Sequence, residues 1–409
     1  MDDCRSCGSA LGAPFLRLGS QPLSNAYLRP AQLARMEPTY PLDVYACERC
    51  TLVQLAEFER AAEIFGDDYA YFSSFSDSWL AHCRAYTEMA RARFHLDAAS
   101  FVVEVASNDG YLLQYFQRAQ IPVLGVEPAR SVADAARAKG IPTDVEFFGA
   151  SYAARLRREG RLADLLIGNN VLAHNPNIND FVAGIAGALL PHGVATLEFP
   201  HVLRMIEGNQ FDTIYHEHFS YLSLHAVDAL FARHGLAVFD VDELATHGGS
   251  LRIYAQLATG RHPVSPRVAE VVAAEREAGL HGRQAYAEFG ERVRRTKREL
   301  LALLIAAKRA GKRIVGYGAP AKGNTLLNYC GVRTDFLDYT VDRNPHKQGR
   351  FLPGTHIPIH APERIFDDKP DYVLILPWNI QQEILGALAG IAAWGGKFIV
   401  PIPEPEIIG

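Results

Sequence analysis

The segment FVVEVASNDGYLL, at 101–113, restricts the possible folds of this chain more than any other stretch. It begins with apolar, β-branched residues, continues with small and turn-forming residues, and returns to helical spacing at Tyr111. A strand followed by a tight turn and a helix is how a parallel α/β fold presents a cofactor at the carboxyl ends of its strands. Small residues let the backbone approach a ligand, and the helix N-terminus favours polar or anionic groups. The segment therefore predicts a Rossmann-like α/β domain with a cofactor turn.

The next apolar run in the sequence, residues 123–126, ends in an acid, Glu127. An acid at the end of the second strand, roughly 20 residues after the turn, is placed to accept hydrogen bonds from a ribose hydroxyl pair. The turn lacks an intact G-x-G-x-x-G, which counts against NAD at this site. The alternative is an ordinary Rossmann-like strand and turn that binds NAD or nothing.

Further polar and aromatic residues follow the later strands predicted for the same domain. The strand at 163–168 ends in Asn169 and Asn170, and His174 lies in the loop beyond them. If the sheet is parallel, this loop lies at the same edge as the cofactor turn, so His174 would face the site. Phe147 or Phe148, after a third strand or turn, could lie against an adenine.

The cysteines near the start of the chain form two pairs, Cys4-x-x-Cys7 and Cys47-x-x-Cys50. Each pair can present two thiolates to one tetrahedral ion, and two such pairs close a four-sulfur zinc site. Four sulfur ligands leave no open position, so we predict a structural zinc ion without a catalytic role. Four unrelated thiols are the alternative.

Composition and the chain start exclude several other classes of protein. A net charge of −5 disfavours an extended nucleic-acid surface. The N-terminus has no basic-then-apolar signal pattern, and no apolar run reaches membrane-spanning length. We therefore expect a cytoplasmic protein, in which the six cysteines are metal ligands or buried thiols rather than disulfides.

Titratable groups are most concentrated in FDTIYHEHFSY, residues 211–221. In an extended strand, Tyr215 and Glu217 would share one face, with His216 and His218 on the other, whereas a helix or turn would regroup them. The cluster could be a metal half-site, an acid/base group with a tyrosine hydroxyl, or a polar junction. Spacing alone leaves these alternatives open.

A second strand–turn–helix pattern begins at Arg313, and its turn contains Lys322. A further strand leads into a loop with Arg343. A diphosphate fits these cationic loops better than it fits the acidic first site. The alternative is a degenerate Rossmann domain used only for packing.

These motifs resemble one family when they are taken in order. They are the two cysteine pairs, DYAYFSS, EVASNDGYLL, GVEPA, EFPH, YHEHFSYLS, HGGSLR and GYGAPAKGNTLLNY. The set resembles the SAM (S-adenosylmethionine)-dependent sugar C-methyltransferases, which act on thymidine-diphosphate (dTDP) 4-keto-deoxysugars in making antibiotic sugars. The resemblance covers essentially the whole chain. Glu104, Ala106, Asn108 and Gly110 occupy the slots usually written acid-x-Gly-x-Gly-x-Gly, a departure that the family tolerates.

The resemblance implies three parts within an α/β fold. They are a zinc-binding module at 1–75, a Rossmann-like SAM domain at 76–258, and a second Rossmann-like domain for the nucleotide sugar at 259–409. It implies methylation of C-3 through a base-generated enolate, with His218 as the base and Tyr215 assisting. C-5 methylation, or O- or N-methylation of a related nucleotide sugar, is the nearest alternative. An NAD-dependent nucleotide-sugar oxidoreductase and a zinc-bearing binding protein without catalysis are two other classes.

The expected site residues form four groups. The catalytic group is His218, Tyr215, Glu217, His174 and Tyr69. The SAM group is Glu104, Ala106, Asn108, Gly110, Tyr111, Leu112, Glu127, Pro128, Phe147, Asn169 and Asn170. The substrate group is Tyr71, Phe72, His247, Arg252, Pro320, Lys322, Asn324 and Arg343. The zinc ligands are Cys4, Cys7, Cys47 and Cys50. The expected partner is the nucleotide sugar, with no nucleic acid or membrane, and the expected state is a monomer or weak homo-oligomer.

Overall fold

The computed structural model describes residues 3–58, 73–75 and 77–409. Three of the expected site residues, Tyr69, Tyr71 and Phe72, lie outside the described residues. The chain is an α/β protein, as predicted, and it divides into two compact units. The first takes the described residues within Met1–Leu11, Cys47–His201 and Phe219–His281, and the second takes Gly12–Ala46, Val202–His218 and Gly282–Gly409.

The helices and strands of the described residues are numbered in chain order. The strands are β1 Leu16–Gln21, β2 Tyr40–Ala46, β3 Val53–Leu55, β4 Val102–Val105, β5 Val123–Val126, β6 Thr143–Asp144, β7 Ala163–Asn169, β8 Leu189–Pro200, β9 Ser220–Tyr221, β10 Leu236–Leu244, β11 Ser250–Leu257, β12 Ile314–Tyr317, β13 Thr340–Val341, β14 Ile359–His360, β15 Tyr372–Ile375, β16 Lys397–Val400 and β17 Glu406–Ile408. The helices are α1 Asp77–Phe94, α2 Leu113–Arg118, α3 Arg130–Ala138, α4 Ala150–Arg158, α5 Ile178–Ala188, α6 Val202–Glu207, α7 Leu224–Arg233, α8 Pro266–Glu277, α9 Arg283–Arg309, α10 Ala321–Cys330, α11 Arg364–Asp368 and α12 Gln381–Ala387.

The first unit is built on a seven-stranded sheet with the order β10-β11-β8-β7-β4-β5-β6. Strands β4 to β8 are parallel, whereas β11 runs antiparallel to both β8 and β10. The order in which successive strands are added to the sheet reverses at β4, because β5 and β6 lie on one side of β4 and β7 lies on the other. The switch point therefore lies between β4 and β7. Open α/β sheets bind ligands in the crevice outside the strand ends at such a switch point. The cofactor turn follows β4, and Asn169 is the last residue of β7.

Helices cover both faces of this sheet, as its parallel strands require. On one face, α1 and α2 pack against the strands through Tyr86 and Phe116. On the other face, α4 and α7 pack through Leu156 and Val227. All four side chains are almost completely buried. In the same unit β3 pairs with β9 as a short antiparallel ribbon.

The second unit contains a six-stranded sheet with the order β14-β13-β12-β15-β16-β17. Its first five strands along the chain are parallel, and β17 pairs antiparallel at the edge. The order again reverses beside the first strand, so the switch point lies between β12 and β15. The unit also contains the antiparallel hairpin of β1 and β2 and the long helix α9. The predicted boundaries at 75 and 258 stay predictions.

Candidate active site

The cofactor turn after β4 has a strained backbone. Ala106, Asn108 and Gly110 have φ angles of 55°, 50° and 74°, in the left-handed region that non-glycine residues rarely adopt. A Cβ atom on Gly110 would lie 2.9 Å from Cγ1 of Ile141, which leaves room only for glycine. Strained residues of this kind cluster at ligand sites, where the surrounding structure holds them. The turn is therefore a candidate for close contact with a cofactor.

Glu127 ties the end of β5 to this turn. Its Oε2 accepts a hydrogen bond from the backbone N–H of Asn108 at 3.0 Å, and its Oε1 accepts one from Ala129 at 2.9 Å. Burial raises the pKa of Glu127, although both backbone N–H groups favour the charged form. Each carboxylate oxygen can accept a second hydrogen bond. Glu127 can therefore hold the turn and also receive the hydroxyls of a ribose.

Two other buried polar groups, Glu104 within β4 and Asn169 at the end of β7, fit SAM. The side chain of Glu104 is fully buried, and its pKa is well above the usual range, mainly because of burial and also because of the charges on Glu127 and Asp109. A positively charged ammonium group, such as that of SAM, would favour the ionised form of Glu104 when it binds beside this side chain. Both amide atoms of Asn169 are buried without a hydrogen-bond partner among the described residues. Leaving such groups unsatisfied costs about 1–3 kcal/mol each, so a polar ligand here is favourable.

The remaining predicted SAM residues lie directly after this turn or after the later strands of the same sheet. Tyr111 and Leu112 are buried immediately before α2, and Pro128 is half-buried beside Glu127. Phe147, just beyond β6, is 51% exposed and available to a ligand. Asn170 has a φ of 54°, and its Nδ2 lies 3.4 Å from Nε2 of His247.

Arg252 is part of a buried ion pair in the first unit. Its Nε donates to Oε1 of Glu198 at 2.7 Å, and Nε2 of His82 lies 2.9 Å from Oε2 of the same carboxylate. Burial opposes the charge on Glu198, but His82 and Arg252 together hold the pKa of Glu198 below its usual range. The sequence did not reveal His82 or Glu198, since 116 residues separate them. The predicted contact of Arg252 with the substrate stays a prediction.

Two predicted histidines of the first unit lie in short turns. His174 ends the 3-10 turn Leu172–His174 that follows β7, and it is half-buried. His247 lies in the turn Thr246–Gly248 with a φ of 55°, and its ring centroid is 5.6 Å from that of Trp79. Trp79 was not predicted, because nothing in its sequence surroundings distinguishes it from a helix residue of the core.

The four predicted zinc ligands converge in the first unit. Their sulfur atoms all lie within 4.8 Å of one another, with Cys4 and Cys50 3.5 Å apart and Cys7 and Cys47 3.6 Å apart. Tetrahedral Zn–S bonds of about 2.3 Å place sulfur atoms about 3.8 Å apart, so the set fits a zinc ion. Four sulfur ligands fill its coordination sphere, which assigns the ion a structural role.

In the second unit, a turn at 216–217 decides the grouping that spacing left open. The backbone N–H of His218 donates to the carbonyl of Tyr215 at 2.9 Å, and their ring centroids are 4.0 Å apart. Nδ1 of His218 donates to the carbonyl of Thr213 at 3.0 Å. Nε2 of His216 donates to the carbonyl of Pro41 at 3.2 Å, so the two histidines have different surroundings. Tyr215 and His218 are therefore the pair that the turn brings together.

Glu217 is buried beside this pair in the chain. Burial raises the pKa of Glu217 to about 7, and Nδ2 of Asn25 donates to its Oε1 at 3.3 Å. The nearby hydroxyl of Tyr27 donates to the carbonyl of Ala319 at 2.5 Å. Neither Asn25 nor Tyr27 was predicted, because 192 residues separate Asn25 from Glu217 and no local motif marks it.

The cationic loops of the second unit border a cavity of about 170 Å³ at the ends of β12 and β15. Pro320 and Arg343 line the cavity, and Arg343 pairs with Glu383 at 2.8 Å. Nζ of Lys322 instead donates to Oδ1 of Asn379 at 2.5 Å, and burial lowers the pKa of Lys322. Asn324 is buried within α10. The cavity thus collects two of the four predicted substrate residues of this unit.

Comparison with known proteins identifies the family of this chain. Family models match a "Putative zinc binding domain" at residues 4–65, a "Methyltransferase domain" at 80–241 and a "C-methyltransferase C-terminal domain" at 245–403. C-methyltransferase NovU of Streptomyces niveus is 39% identical over 411 residues, which cover 100% of this chain and 97% of that protein. The chain belongs to the SAM-dependent C-methyltransferase family.

This C-methyltransferase also matches solved methyltransferase structures over about half of its length. Magnesium protoporphyrin IX methyltransferase from Synechocystis PCC 6803 with bound SAH is 14% identical, with a TM-score of 0.36, over 47% of this chain and 90% of that one. A SAM-dependent methyltransferase from Clostridium acetobutylicum is 8% identical, with a TM-score of 0.35, over 44% of this chain and 92% of that one. Both scores are low, and neither superposition adds to the family assignment.

The predicted enzyme class, the SAM cofactor and the zinc-binding module of this C-methyltransferase are confirmed. The predicted role of each site residue stays a prediction. Across the described part of the chain, no helix has the length and hydrophobicity needed to span a bilayer.

Replacing Glu127 with Gln is expected to weaken SAM binding by this C-methyltransferase about 10- to 100-fold, because hydrogen bonds to charged groups contribute about 1.5–3 kcal/mol. Titration calorimetry of the purified protein measures the dissociation constant. Glu146→Gln is the matched control, since Glu146 is exposed and pairs with Arg155. An unchanged affinity in Glu127→Gln would remove Glu127 from the cofactor site.

Proposed function

We propose that this C-methyltransferase transfers the methyl group of SAM to C-3 of a dTDP-4-keto-deoxysugar, and that His218 generates the enolate. The carbon beside a ketone is a nucleophile only after it loses a proton. The reaction therefore needs a base at that carbon and a donor at the ketone oxygen. When bound, SAM supplies an electrophilic methyl group on its sulfonium.

The hydrogen bond between Nδ1 of His218 and the carbonyl of Thr213 is the observation that carries the proposal. A carbonyl only accepts, so in neutral His218 the proton resides on Nδ1 and the basic lone pair on Nε2. The neutral imidazole of a histidine is a suitable general base for proton removal from carbon. Tyr215, whose ring packs on that of His218, supplies the hydroxyl that we assign to the enolate oxygen.

Glu217 is proposed to assist the reaction in its neutral, protonated form. With a pKa of about 7, its carboxyl group is protonated in a large fraction of molecules at neutral pH and can donate a hydrogen bond. His174 and Tyr69 are proposed to line the same substrate pocket, as the family resemblance implies. These roles leave proton removal to His218 alone.

The cavity beside Pro320 and Arg343 is proposed to take the nucleoside diphosphate of the substrate. Arg343 lines the cavity together with Asp342 and Glu383, and its charge is balanced by Glu383 in the free protein. Support for an anion comes from helix α10, which begins immediately after the lining residue Pro320 and whose first backbone N–H groups favour negative charge. Lys322 is proposed to act on the same diphosphate from the first turn of that helix. A product of this kind would belong to the synthesis of branched deoxysugars for antibiotics.

Incubation with SAM and a panel of dTDP-4-keto sugars in deuterated water tests the proposal. Mass spectrometry is expected to show one added methyl group on the accepted sugar, and deuterium incorporation at C-3 when SAM is omitted. Methylation at C-5, on oxygen or on nitrogen would replace the proposed acceptor atom. A methylated product that retains the original C-3 hydrogen would argue against a base-generated enolate at C-3. A parallel titration with NAD controls for the oxidoreductase alternative and is expected to give no binding.

A further inference from the structure

The proposed base is held by a short turn rather than by a regular helix or strand. The carbonyl that accepts from Nδ1 of His218 belongs to Thr213, the last residue of the 3-10 turn Phe211–Thr213. The orientation of this carbonyl decides which ring nitrogen carries the proton of the neutral imidazole. A rotation of the turn would therefore change the tautomer of His218.

Asp212, within this turn, is completely buried and has a specific partner. Nε1 of Trp378, in the turn that follows β15, donates to Oδ2 of Asp212 at 2.7 Å. Burial raises the pKa of Asp212 to about 6, and the charge of Lys322 acts in the opposite direction. A hydrogen bond to a carboxylate is roughly twice as strong as one between neutral groups. The indole therefore fixes Asp212 and, with it, the peptide that joins Asp212 to Thr213.

Helix α10 holds the next peptide of the same segment. Oγ1 of Thr325 donates to the carbonyl of Ile214 at 2.9 Å. One turn earlier on α10, Nζ of Lys322 lies 4.7 Å from the ring centroid of Trp378. Two successive carbonyls, those of Thr213 and Ile214, thus each accept a hydrogen bond from a side chain. Trp378 contacts both Asp212 in the turn and Lys322 in α10.

We propose that Asp212 and Trp378 are positioning residues that keep His218 in the Nδ1–H tautomer by fixing the carbonyl of Thr213. Their effect passes through the backbone of the turn, so neither residue needs to contact the substrate. The inference rests on the proposed function only for the expected effect of the tautomer on kcat. The tautomer itself is a property of the free protein and is measured without substrate.

Trp378→Phe removes the indole donor and keeps an aromatic ring beside Lys322. In ¹⁵N-histidine-labelled protein, the ring-nitrogen shifts of His218 are expected to show the Nδ1–H tautomer in the original chain and a mixture with Nε2–H in the variant. The kcat of methyl transfer is expected to fall about 10-fold, with KM changed less than about twofold. This loss is smaller than the about 10²- to 10⁴-fold lost when a general base is removed, because part of the protein keeps the Nδ1–H tautomer. Trp394→Phe is the matched control, because its Nε1 donates to the carbonyl of Pro370, and it is expected to change neither tautomer nor kcat.

A second pair of variants separates the positioning role from a loss of folding. Asp212→Asn keeps an oxygen that can accept from Trp378 and is expected to retain the tautomer, whereas Asp212→Leu is expected to lose it. An Nε2–H tautomer in the original chain would overturn the inference, as would an unchanged tautomer in Trp378→Phe. If His218→Asn keeps turnover, His218 is not the base and that part of the proposed function fails. The nitrogen shifts of His218 in the other variants still decide whether Trp378 and Asp212 fix the ring.

Discussion

His218→Asn is expected to abolish methyl transfer and to leave the affinity for SAM unchanged. Asparagine can still donate a hydrogen bond to the carbonyl of Thr213, so the turn of the second unit keeps its contact. The amide has no basic lone pair in the neutral pH range and cannot remove a proton from carbon. Loss of a general base lowers kcat by about 10²- to 10⁴-fold. We therefore expect turnover below detection in an ordinary endpoint assay.

Two measurements on the same protein preparation isolate this effect. Deuterium exchange at the acceptor carbon, followed without SAM, should disappear with turnover, because both need the same proton transfer. Calorimetric titration with SAM should match the original chain. His192→Asn is the control, since His192 is exposed and pairs with Asp164 in the first unit. Near-normal exchange in His218→Asn would mean that another group is the base.

Cys47→Ser is expected to abolish zinc binding and to unfold the surroundings of the four-cysteine cluster. Zinc binding to structural sites of zinc-finger peptides contributes about 10–16 kcal/mol of apparent free energy at neutral pH, which is comparable to the total stability of about 5–15 kcal/mol of a domain. Cys4, Cys47 and Cys50 are also buried in the same apolar cluster as helices α4 and α7. Loss of the ion would therefore destabilise the first unit beyond the cysteines themselves.

Metal content by mass spectrometry and thermal unfolding measure this outcome. We expect one zinc ion per chain originally and less than about one tenth of that in Cys47→Ser, with a lower unfolding temperature. Cys330→Ser is the matched control, because Cys330 is a buried thiol of the second unit that lies outside the cluster. Full zinc content in Cys47→Ser would show that three cysteines suffice.

Local patterns in the sequence predicted the parts of the fold that depend on nearby residues. The strand and turn at 101–113 have the predicted order, and Glu127 contacts the turn as expected for an acid at the end of the second strand. Each C-x-x-C pair is a local geometry, and the need of one zinc ion for four ligands predicted that the two pairs converge, as they do. Such features are encoded within a few residues, so periodicity and spacing are sufficient to find them.

Partners that are distant along the chain could not be found in this way. Trp378 meets Asp212 across 166 residues, and Asn25 meets Glu217 across 192. The segment 215–218 also contains a turn at 216–217, which pairs Tyr215 with His218. In an extended strand these two side chains would have pointed to opposite faces. These contacts depend on how separate elements pack, and a single sequence contains no local signal for that packing.

The interleaving of the two compact units along the chain has a consequence for synthesis on the ribosome. Residues 12–46 leave the exit tunnel early, yet they belong to a unit whose main sheet begins only at β12. The hydroxyl of Tyr27, for example, can donate its hydrogen bond to the carbonyl of Ala319 only after a further 292 residues have been synthesised. Contacts of such long sequence separation form slowly and leave apolar surface open in the meantime. The nascent hairpin of β1 and β2 is therefore the part of this enzyme that we expect chaperones to protect for the longest time.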